Sequence, residues 1–249
     1  MTSQTRKRLD LAVHEKYPEL SRSYIQQAIK SGGVLVDGTI AIKPGVAVEP
    51  TVTIELLVTV PKFVSRGGLK LEAALDHFKL DVTGLVALDG GLSTGGFTDC
   101  LLQRGVKKVY GVDVGTAQVH PSVAADPRVV VYESTDLRKI TALPERVDFA
   151  TLDLSFISLT KVIPSLIPLL KPTSFVIALI KPQFESERSE IHRGGLVVDP
   201  AVHDRAKTSV SKSFAALGFT CVGIIPAPLQ QGTASNQEFL GLYQRTSQQ

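Results

Sequence analysis

Between Leu85 and Leu102 an apolar run of strand type ends on a carboxylate, passes through a glycine-rich turn and opens into a helical pattern. The run is Leu85-Val86-Ala87-Leu88-Asp89, and the turn is Gly90-Gly91-Leu92-Ser93-Thr94-Gly95-Gly96. Phe97-Thr98-Asp99-Cys100-Leu101-Leu102 then starts the helix. A strand that feeds a helix through so short a turn belongs to an α/β layer structure, with its ligand face beyond the strand's carboxyl end. Glycines there let the backbone take positive φ or approach a ligand closely, and the free N–H groups of the helix start favour polar or anionic groups.

The acid inside the motif selects the ligand. A dinucleotide site spaces its glycines G-x-G-x-x-G so that a helix N-terminus faces a diphosphate. Here the spacing is D-G-G-x-x-x-G-G, and Asp89 adds a negative charge where a pyrophosphate would sit. S-adenosylmethionine carries an ammonium and a sulfonium and no phosphate. Asp89, Gly90, Gly91, Ser93, Thr94, Gly95, Gly96 and Phe97 are therefore expected to hold that cofactor, against the plainer reading of a tight turn with no ligand.

From residue 84 onward apolar runs and helical patterns alternate, which implies a doubly wound, mostly parallel sheet with helices on both faces. Strands are expected over 84–89, 108–114, 129–134, 147–153, 173–181, 219–226 and 238–244, and helices over 95–104, 158–170 and 200–217. In such a sheet the residue that ends each strand faces the ligand. Asp113 follows Asp89 at close to the ~20-residue spacing at which an acid meets a ribose diol. Asp136 is a candidate for the adenine amino group, with a solvated loop acid as the alternative.

Two more strand ends carry opposite charges. Phe149-Ala150-Thr151-Leu152 ends on Asp153, and Phe175 to Ile180 ends on Lys181. These two are expected to meet over the cofactor. Desolvation and a second cation such as Lys70 would favour the neutral amine of Lys181, able to take a proton from an alcohol. Lys70 lies early on an amphipathic helix marked by Leu71, Ala74, Leu75 and Phe78, and Glu238 opens the last strand region as a further acid. A purely structural Lys-Asp pair is the alternative reading. No metal site is expected.

Residues 5 to about 60 read as a separate small module of two helices and a small sheet. Arg8 to Val13 starts one helix, Ser21 caps the second, and Gly32-Gly33 ends it. Val34 to Thr39 and Thr51 to Leu56 read as strands, with Asp37-Gly38 as a hairpin turn. Arg6, Lys7, Arg8, Arg22, Lys30 and Lys43 fall on helix starts and turns, where they could meet a phosphate backbone or simply form a solvated face. The expected boundaries are 1–60 for the module, 61–66 for a linker and 67–249 for the larger domain.

Composition sets outer limits. The chain has 249 residues, 43% hydrophobic and 20% charged, enough for a sizeable core, and its net charge of +3 permits nucleic-acid contact without demanding it. Cys100 and Cys221 each sit in an apolar element and read as reduced core thiols. No apolar leader follows Met1 and no run reaches the length of a membrane span, so a cytoplasmic protein without stable membrane association is expected.

The run Lys7-Arg8-Leu9-Asp10, Ser21-Arg22 with Ile25 to Ile29, and Gly33 to Gly38 resembles the small RNA-binding S-four domain. Ser65-Arg66-Gly67-Gly68-Leu69-Lys70-Leu71, Ser93 to Leu102, Asp153 to Ser158, Ile180-Lys181-Pro182-Gln183-Phe184-Glu185 and Asn236-Gln237-Glu238-Phe239 together resemble the TlyA (haemolysin A) family, in which that domain precedes an FtsJ-like methyltransferase domain. The resemblance implies a Rossmann-like methyltransferase sheet and methyl transfer from S-adenosylmethionine to a ribose 2′-hydroxyl of cytidine in ribosomal RNA or ribosomal subunits. It also implies a Lys-Asp-Lys-Glu tetrad at Lys70, Asp153, Lys181 and Glu238, and it adds Arg66 to the RNA-facing cations. Two positions depart from the family pattern: Gly90 and Leu92 stand where a β-branched residue and an alanine are usual, so the fit around the methionine is expected to differ. A non-enzymatic RNA-binding factor and a membrane-active haemolysin are the rival readings.

Overall fold

The computed structural model describes residues 6–57, 61–228 and 236–246. The chain divides into two compact units, Met1–Val64 and Ser65–Gln249.

In the first unit, strand β1 (Lys7–Arg8) runs straight into helix α1 (Leu9–Lys16), which is followed by α2 (Arg22–Lys30), β2 (Val34–Val36), β3 (Thr39–Ile40), β4 (Ala47–Val48) and β5 (Ile54–Leu56). Ser21 caps α2 by accepting a hydrogen bond from the Tyr24 backbone N–H at 3.2 Å. Asp37 and Gly38 both have positive φ, at 49° and 76°, and this conformation folds β3 back on β2 as a tight hairpin. Only Ile54–Leu56 of the expected second strand joins the sheet, on the other side of β2. Val58 to Val60 and Met1 to Thr5 lie outside the described residues. Leu9, Val13, Leu20, Ile25, Ala28, Ile29, Val34, Val48 and Ile54 form one buried cluster. The pattern that predicts the helices thus also supplies the unit's core.

The second unit begins with α3 (Gly67–Phe78), β6 (Val86–Gly90), α4 (Gly96–Gln103), β7 (Lys108–Val112), α5 (Pro121–Ala124), β8 (Val129–Tyr132) and β9 (Val147–Leu152). It continues with β10 (Leu170–Ile180), α6 (Pro182–Glu185), α7 (Pro200–Ala215), β11 (Phe219–Pro226) and β12 (Phe239–Arg245). One seven-stranded sheet has the order β11-β12-β10-β9-β6-β7-β8. The strands from β10 to β8 are parallel neighbours, and β12 is antiparallel to both β10 and β11. This is the doubly wound arrangement that the alternation predicts.

Helix α7 shows how a face is buried. Val202, Ala206, Val210 and Phe214 recur every fourth residue and are all buried, and Asp199 caps the helix start through the Ala201 N–H at 2.8 Å. Phe214 stacks on Tyr243 of β12 with ring centroids 3.9 Å apart and meets Phe219 edge-on. Truncating such a ring would cost about 3–5 kcal/mol.

The helix expected over 158–170 does not form. Two 3₁₀ turns, Leu159–Lys161 and Ile163–Leu166, replace it. Pro164 and Pro168 each remove a backbone donor from the run, and β-branched Val162, Ile163 and Ile167 add little helical preference. Strand β10 begins earlier than expected, at Leu170, and accommodates Lys171 to Ser174 through a register irregularity before pairing regularly from Phe175.

Candidate active site

The site follows from strand register. Gly90 of β6 pairs with Val112 of β7 and with Leu152 of β9, so Gly91, Asp113 and Asp153 leave the sheet side by side. On the far side of β9, Ile180 of β10 pairs with Phe239 of antiparallel β12. The chain therefore exits at Lys181 where it re-enters after Glu238.

The four residues of the expected tetrad form two pairs. Lys181 Nζ lies 2.7 Å from Asp153 Oδ1 and donates to Ser155 Oγ at 3.0 Å. Asp153 Oδ1 is buried, and its charge is met there by the Lys181 ammonium as an ion pair. Lys70 Nζ, from the first turns of α3, donates to Glu238 Oε2 at 2.6 Å. All four side chains are largely buried. Buried ions of this kind are retained only where each has a partner.

The glycine turn is stacked directly on this arrangement. Gly91 has φ +90°, and a Cβ there would fall 2.3 Å from the Asp153 carbonyl oxygen. Only glycine lets the two backbones come so close. At the helix start, a Cβ on Gly96 would strike Ser65 Oγ at 2.1 Å, so the Ser65-Arg66-Gly67-Gly68 segment is seated on the first turn of α4. Ser93 and Thr94 at the turn's crest are exposed, while Gly90, Gly95, Gly96 and Phe97 are buried.

The two departures at Gly90 and Leu92 are accommodated by packing. The space a Cβ would take at Gly90 is filled by Leu137 and Leu152, and buried Leu92 lies over Gly111, where its Cδ2 would be 2.7 Å from a Cβ. Leu92 and Gly111 form a large–small pair beneath the turn.

Asp89 requires a correction. Its carboxylate is completely buried, with Thr98 Oγ1 donating to Oδ2 at 2.7 Å and Thr151 Oγ1 to Oδ1 at 2.8 Å. Burial pushes its carboxyl up to about 6 against the pull of those two hydroxyls. Asp89 has no exposed surface; it ties α4 and β9 to the end of β6. Asp113 is different. It is partly exposed, accepting the Ser93 N–H at Oδ2 and the Gly115 N–H at Oδ1, both at 2.7 Å, which leaves further lone pairs open. Asp136 caps the 3₁₀ turn Leu137–Lys139 and is gripped by Arg138, whose guanidinium holds its carboxyl below the usual range.

Sequence reasoning missed two residues beside the tetrad. Phe156 has a left-handed φ of 63° and is 92% exposed, with its ring centroid 5.3 Å from that of Phe184. Lys181 Nζ sits 5.8 Å from the centre of the Phe184 ring. An aromatic step thus leads from solvent to the buried ammonium. Glu185, on α6, accepts from Ser158 Oγ at 2.6 Å and from the Leu159 N–H at 2.7 Å. It fastens the loop that carries Asp153, Ser155 and Phe156 to the turn that carries Lys181 and Phe184.

The FtsJ-like methyltransferase model matches residues 63–245, and the S4 domain model matches residues 7–54. The chain belongs to the FtsJ-like methyltransferase family. Within it, the chain is 38% identical over 244 residues to the 16S/23S rRNA (cytidine-2′-O)-methyltransferase TlyA of Mycobacterium tuberculosis, an alignment that covers 97% of this chain and 91% of that protein. It is 37% identical over 236 residues to Hemolysin A of Brachyspira hyodysenteriae, covering 94% of this chain and 98% of the relative. A solved Streptococcus thermophilus protein, provisionally described as a hemolysin, superposes with a TM-score of 0.75 at 34% identity over 98% of this chain and 90% of its own. These relatives place the chain in the TlyA (haemolysin A) branch.

The S4 domain of this FtsJ-like methyltransferase carries most of the cations expected to face RNA. Arg6 pairs with Glu49, Lys7 Nζ with Glu15 at 2.8 Å, and Arg8 with Asp10 at 2.9 Å. Arg22 Nη2 is 3.9 Å from the same Asp10 carboxylate. Lys30 and Lys43 are exposed, and so is Arg66 at the N-cap of α3 in the methyltransferase unit. Among the described residues no helix is long and apolar enough to cross a membrane.

Proposed function

We propose that this chain transfers a methyl group from S-adenosylmethionine to the 2′-hydroxyl of a cytidine ribose in ribosomal RNA, acting in the cytoplasm on rRNA or ribosomal subunits. The observation that carries the reading is the buried Lys181, held by Asp153 and Ser155 at the strand end beside the glycine turn, with the Lys70–Glu238 pair on the adjoining elements.

The residues around the turn suit this cofactor. Asp113 keeps acceptor capacity for a ribose diol, Ser93 and Thr94 expose the crest of the turn, and Val114 beside Asp113 is an exposed apolar surface for a purine. Gly91, Gly95, Gly96 and Phe97 shape the cradle, Gly90 and buried Asp89 support it from below, and Asp136 stands near the end of β8 as the adenine-side acid. When bound, the cofactor supplies an electrophilic methyl carbon on a sulfonium centre.

The chain supplies position and proton handling. Phe156 and Phe184 present ring faces on which the target nucleotide stacks, which brings its ribose to Lys181. In its neutral form Lys181 Nζ takes the proton of the 2′-hydroxyl as the oxygen attacks, and Asp153 holds the ammonium so formed. Lys70 and Glu238 balance each other's charge and fix the floor of the site. Most of the acceleration comes from alignment of oxygen and methyl carbon. The S4 domain adds affinity through phosphate contacts by Arg6, Lys7, Arg8, Arg22, Lys30 and Lys43, joined by Arg66.

The test is methyl transfer from radiolabelled S-adenosylmethionine to isolated ribosomal subunits and to naked rRNA, with wild type against Lys181→Ala. Label in a cytidine 2′-O-methyl group with wild type alone supports the reading. Equal transfer by the variant removes Lys181 from the reaction, and no transfer by a wild type that binds rRNA favours the non-enzymatic RNA-binding reading.

A further inference from the structure

Of the charged residues in the N-terminal unit, Asp10 stands apart because its carboxylate has no exposed surface, whereas its cationic partners are more than half exposed. Arg8 Nε donates to Oδ1 at 3.0 Å and Arg8 Nη2 to Oδ2 at 2.9 Å, a two-pronged grip. Gln26 Nε2, from α2, donates to Oδ2 at 2.7 Å, and Arg22 Nη2, also from α2, lies 3.9 Å from the same oxygen. The Asp10 N–H is bonded in turn to the Pro44 carbonyl at 2.9 Å, and the Arg8 guanidinium lies alongside Gly45. Asp10 therefore joins three segments: its carboxylate ties the start of α1 to α2, and its backbone N–H ties α1 to the loop before β4.

The other pairs of this unit are built differently. Glu49 and Glu15, the partners of Arg6 and Lys7, are themselves exposed, and both can swing away when a phosphate approaches. Such pairs fix no geometry. Asp10 cannot leave. Two of the five Arg8 N–H groups are spent on it, and the remaining three stay available at the surface.

We infer that Asp10 is a positioning residue for RNA recognition, a buried carboxylate that holds the Arg8 guanidinium in the orientation in which it meets an RNA phosphate and draws Arg22 alongside it. The inference rests on the reading of this unit as RNA-binding. Its physical content is preorganisation: the rotamer freedom of Arg8 is given up on folding rather than on binding. Asp10 touches no RNA itself, and its negative charge opposes binding by simple Coulomb attraction. That opposition makes the sign of the effect decisive.

The test measures the affinity of the full chain for naked rRNA across a range of salt concentrations, with Asp10→Asn and Arg8→Lys beside wild type. Asp10→Asn raises the net charge by one, so charge alone predicts tighter binding. Positioning predicts binding weaker by about 5–10-fold and a salt slope smaller by about 1, as one phosphate contact is lost. Arg8→Lys keeps the charge and removes the two-pronged grip; it is expected to weaken binding by a similar factor, and it decides the matter if Asp10→Asn does not fold. Unchanged or tighter binding by a folded Asp10→Asn, or unchanged binding by Arg8→Lys, overturns the positioning role while leaving the RNA reading intact. A wild type that does not retain rRNA overturns the RNA reading itself.

Discussion

Lys181 Nζ stands 2.7 Å from Asp153 Oδ1 because β9 and β10 are parallel neighbours that pair Leu152 with Ala178, so the two chains leave the sheet a few ångströms apart. Neutralising the carboxylate takes the counter-ion from a buried ammonium and leaves it beside Ser155 Oγ and the Phe184 ring. Asp153→Asn is expected to lower the unfolding free energy by about 1–3 kcal/mol, below the full cost for a sealed pair because Asp153 keeps some exposure. Methyl transfer should fall at least 100-fold. Calorimetry and label incorporation check both, and a variant with full activity would show that the amine needs no counter-ion.

Glu185 is expected to act through the loop it holds. Glu185→Gln retains one acceptor oxygen and loses the charge that draws Ser158 Oγ and the Leu159 N–H. A charged hydrogen bond of this kind contributes about 1.5–3 kcal/mol, so kcat should drop roughly 10–100-fold while cofactor affinity stays unchanged. Steady-state rates with rRNA, alongside cofactor titration, separate the outcomes. A loss of cofactor affinity equal to the loss of kcat would point to general unfolding of the site.

Phe156 offers the cleanest separation of substrate binding from stability. Its side chain is almost wholly exposed and buries little on folding, so Phe156→Ala should leave the unfolding midpoint nearly unchanged. Stacking of a base on an aromatic ring contributes about 1–3 kcal/mol, and KM for RNA should rise roughly 5–100-fold. An unchanged KM would place the nucleotide elsewhere.

Gly91 couples the cofactor turn to the tetrad. In Gly91→Ala the new methyl group meets the Asp153 carbonyl, part of the backbone, and the positive φ adds strain of its own. The variant should lose cofactor affinity and methyl transfer together, which calorimetric titration and the label assay both read. Loss of transfer with cofactor binding intact would mean that the turn yields and only Asp153 moves.

Much of this site was legible because charges punctuate apolar runs. Asp113, Asp153 and Lys181 each follow directly on a strand, and a doubly wound sheet sends all such positions to one edge. What could not be read was orientation. Asp89 reads in sequence as the same kind of strand end, but β6 runs on through Gly90, and the carboxylate faces inward to the hydroxyls of Thr98 and Thr151, neither of them adjacent to it in sequence. Phe156, within Leu154-Ser155-Phe156-Ile157, has the composition of a buried turn, yet it takes a positive φ and its ring stands in solvent. The two 3₁₀ turns after Ser158 were masked by an apolar periodicity that the prolines override.

Acid should release the N-terminal unit through Asp10. Arg8, by its hydrogen bonds first, together with Gln26 and Arg22 outweighs the burial penalty and holds the Asp10 carboxyl down at about 2, below the ~3.9 of an unfolded chain. A depressed acid contributes stability that is fully present above the unfolded value and is lost as pH falls through the folded one. The window is therefore about pH 4 down to about pH 2, and the contribution at neutral pH is about 2–3 kcal/mol. Arg8→Ala removes the largest cause, so the stability difference between wild type and variant should be widest above pH 4 and close toward pH 2. Thermal unfolding of both proteins across that range, followed through the signals of the N-terminal unit, reads the difference directly. A gap that stays constant with pH would show that Arg8 stabilises the unit through packing along Gly45 rather than through the Asp10 charge.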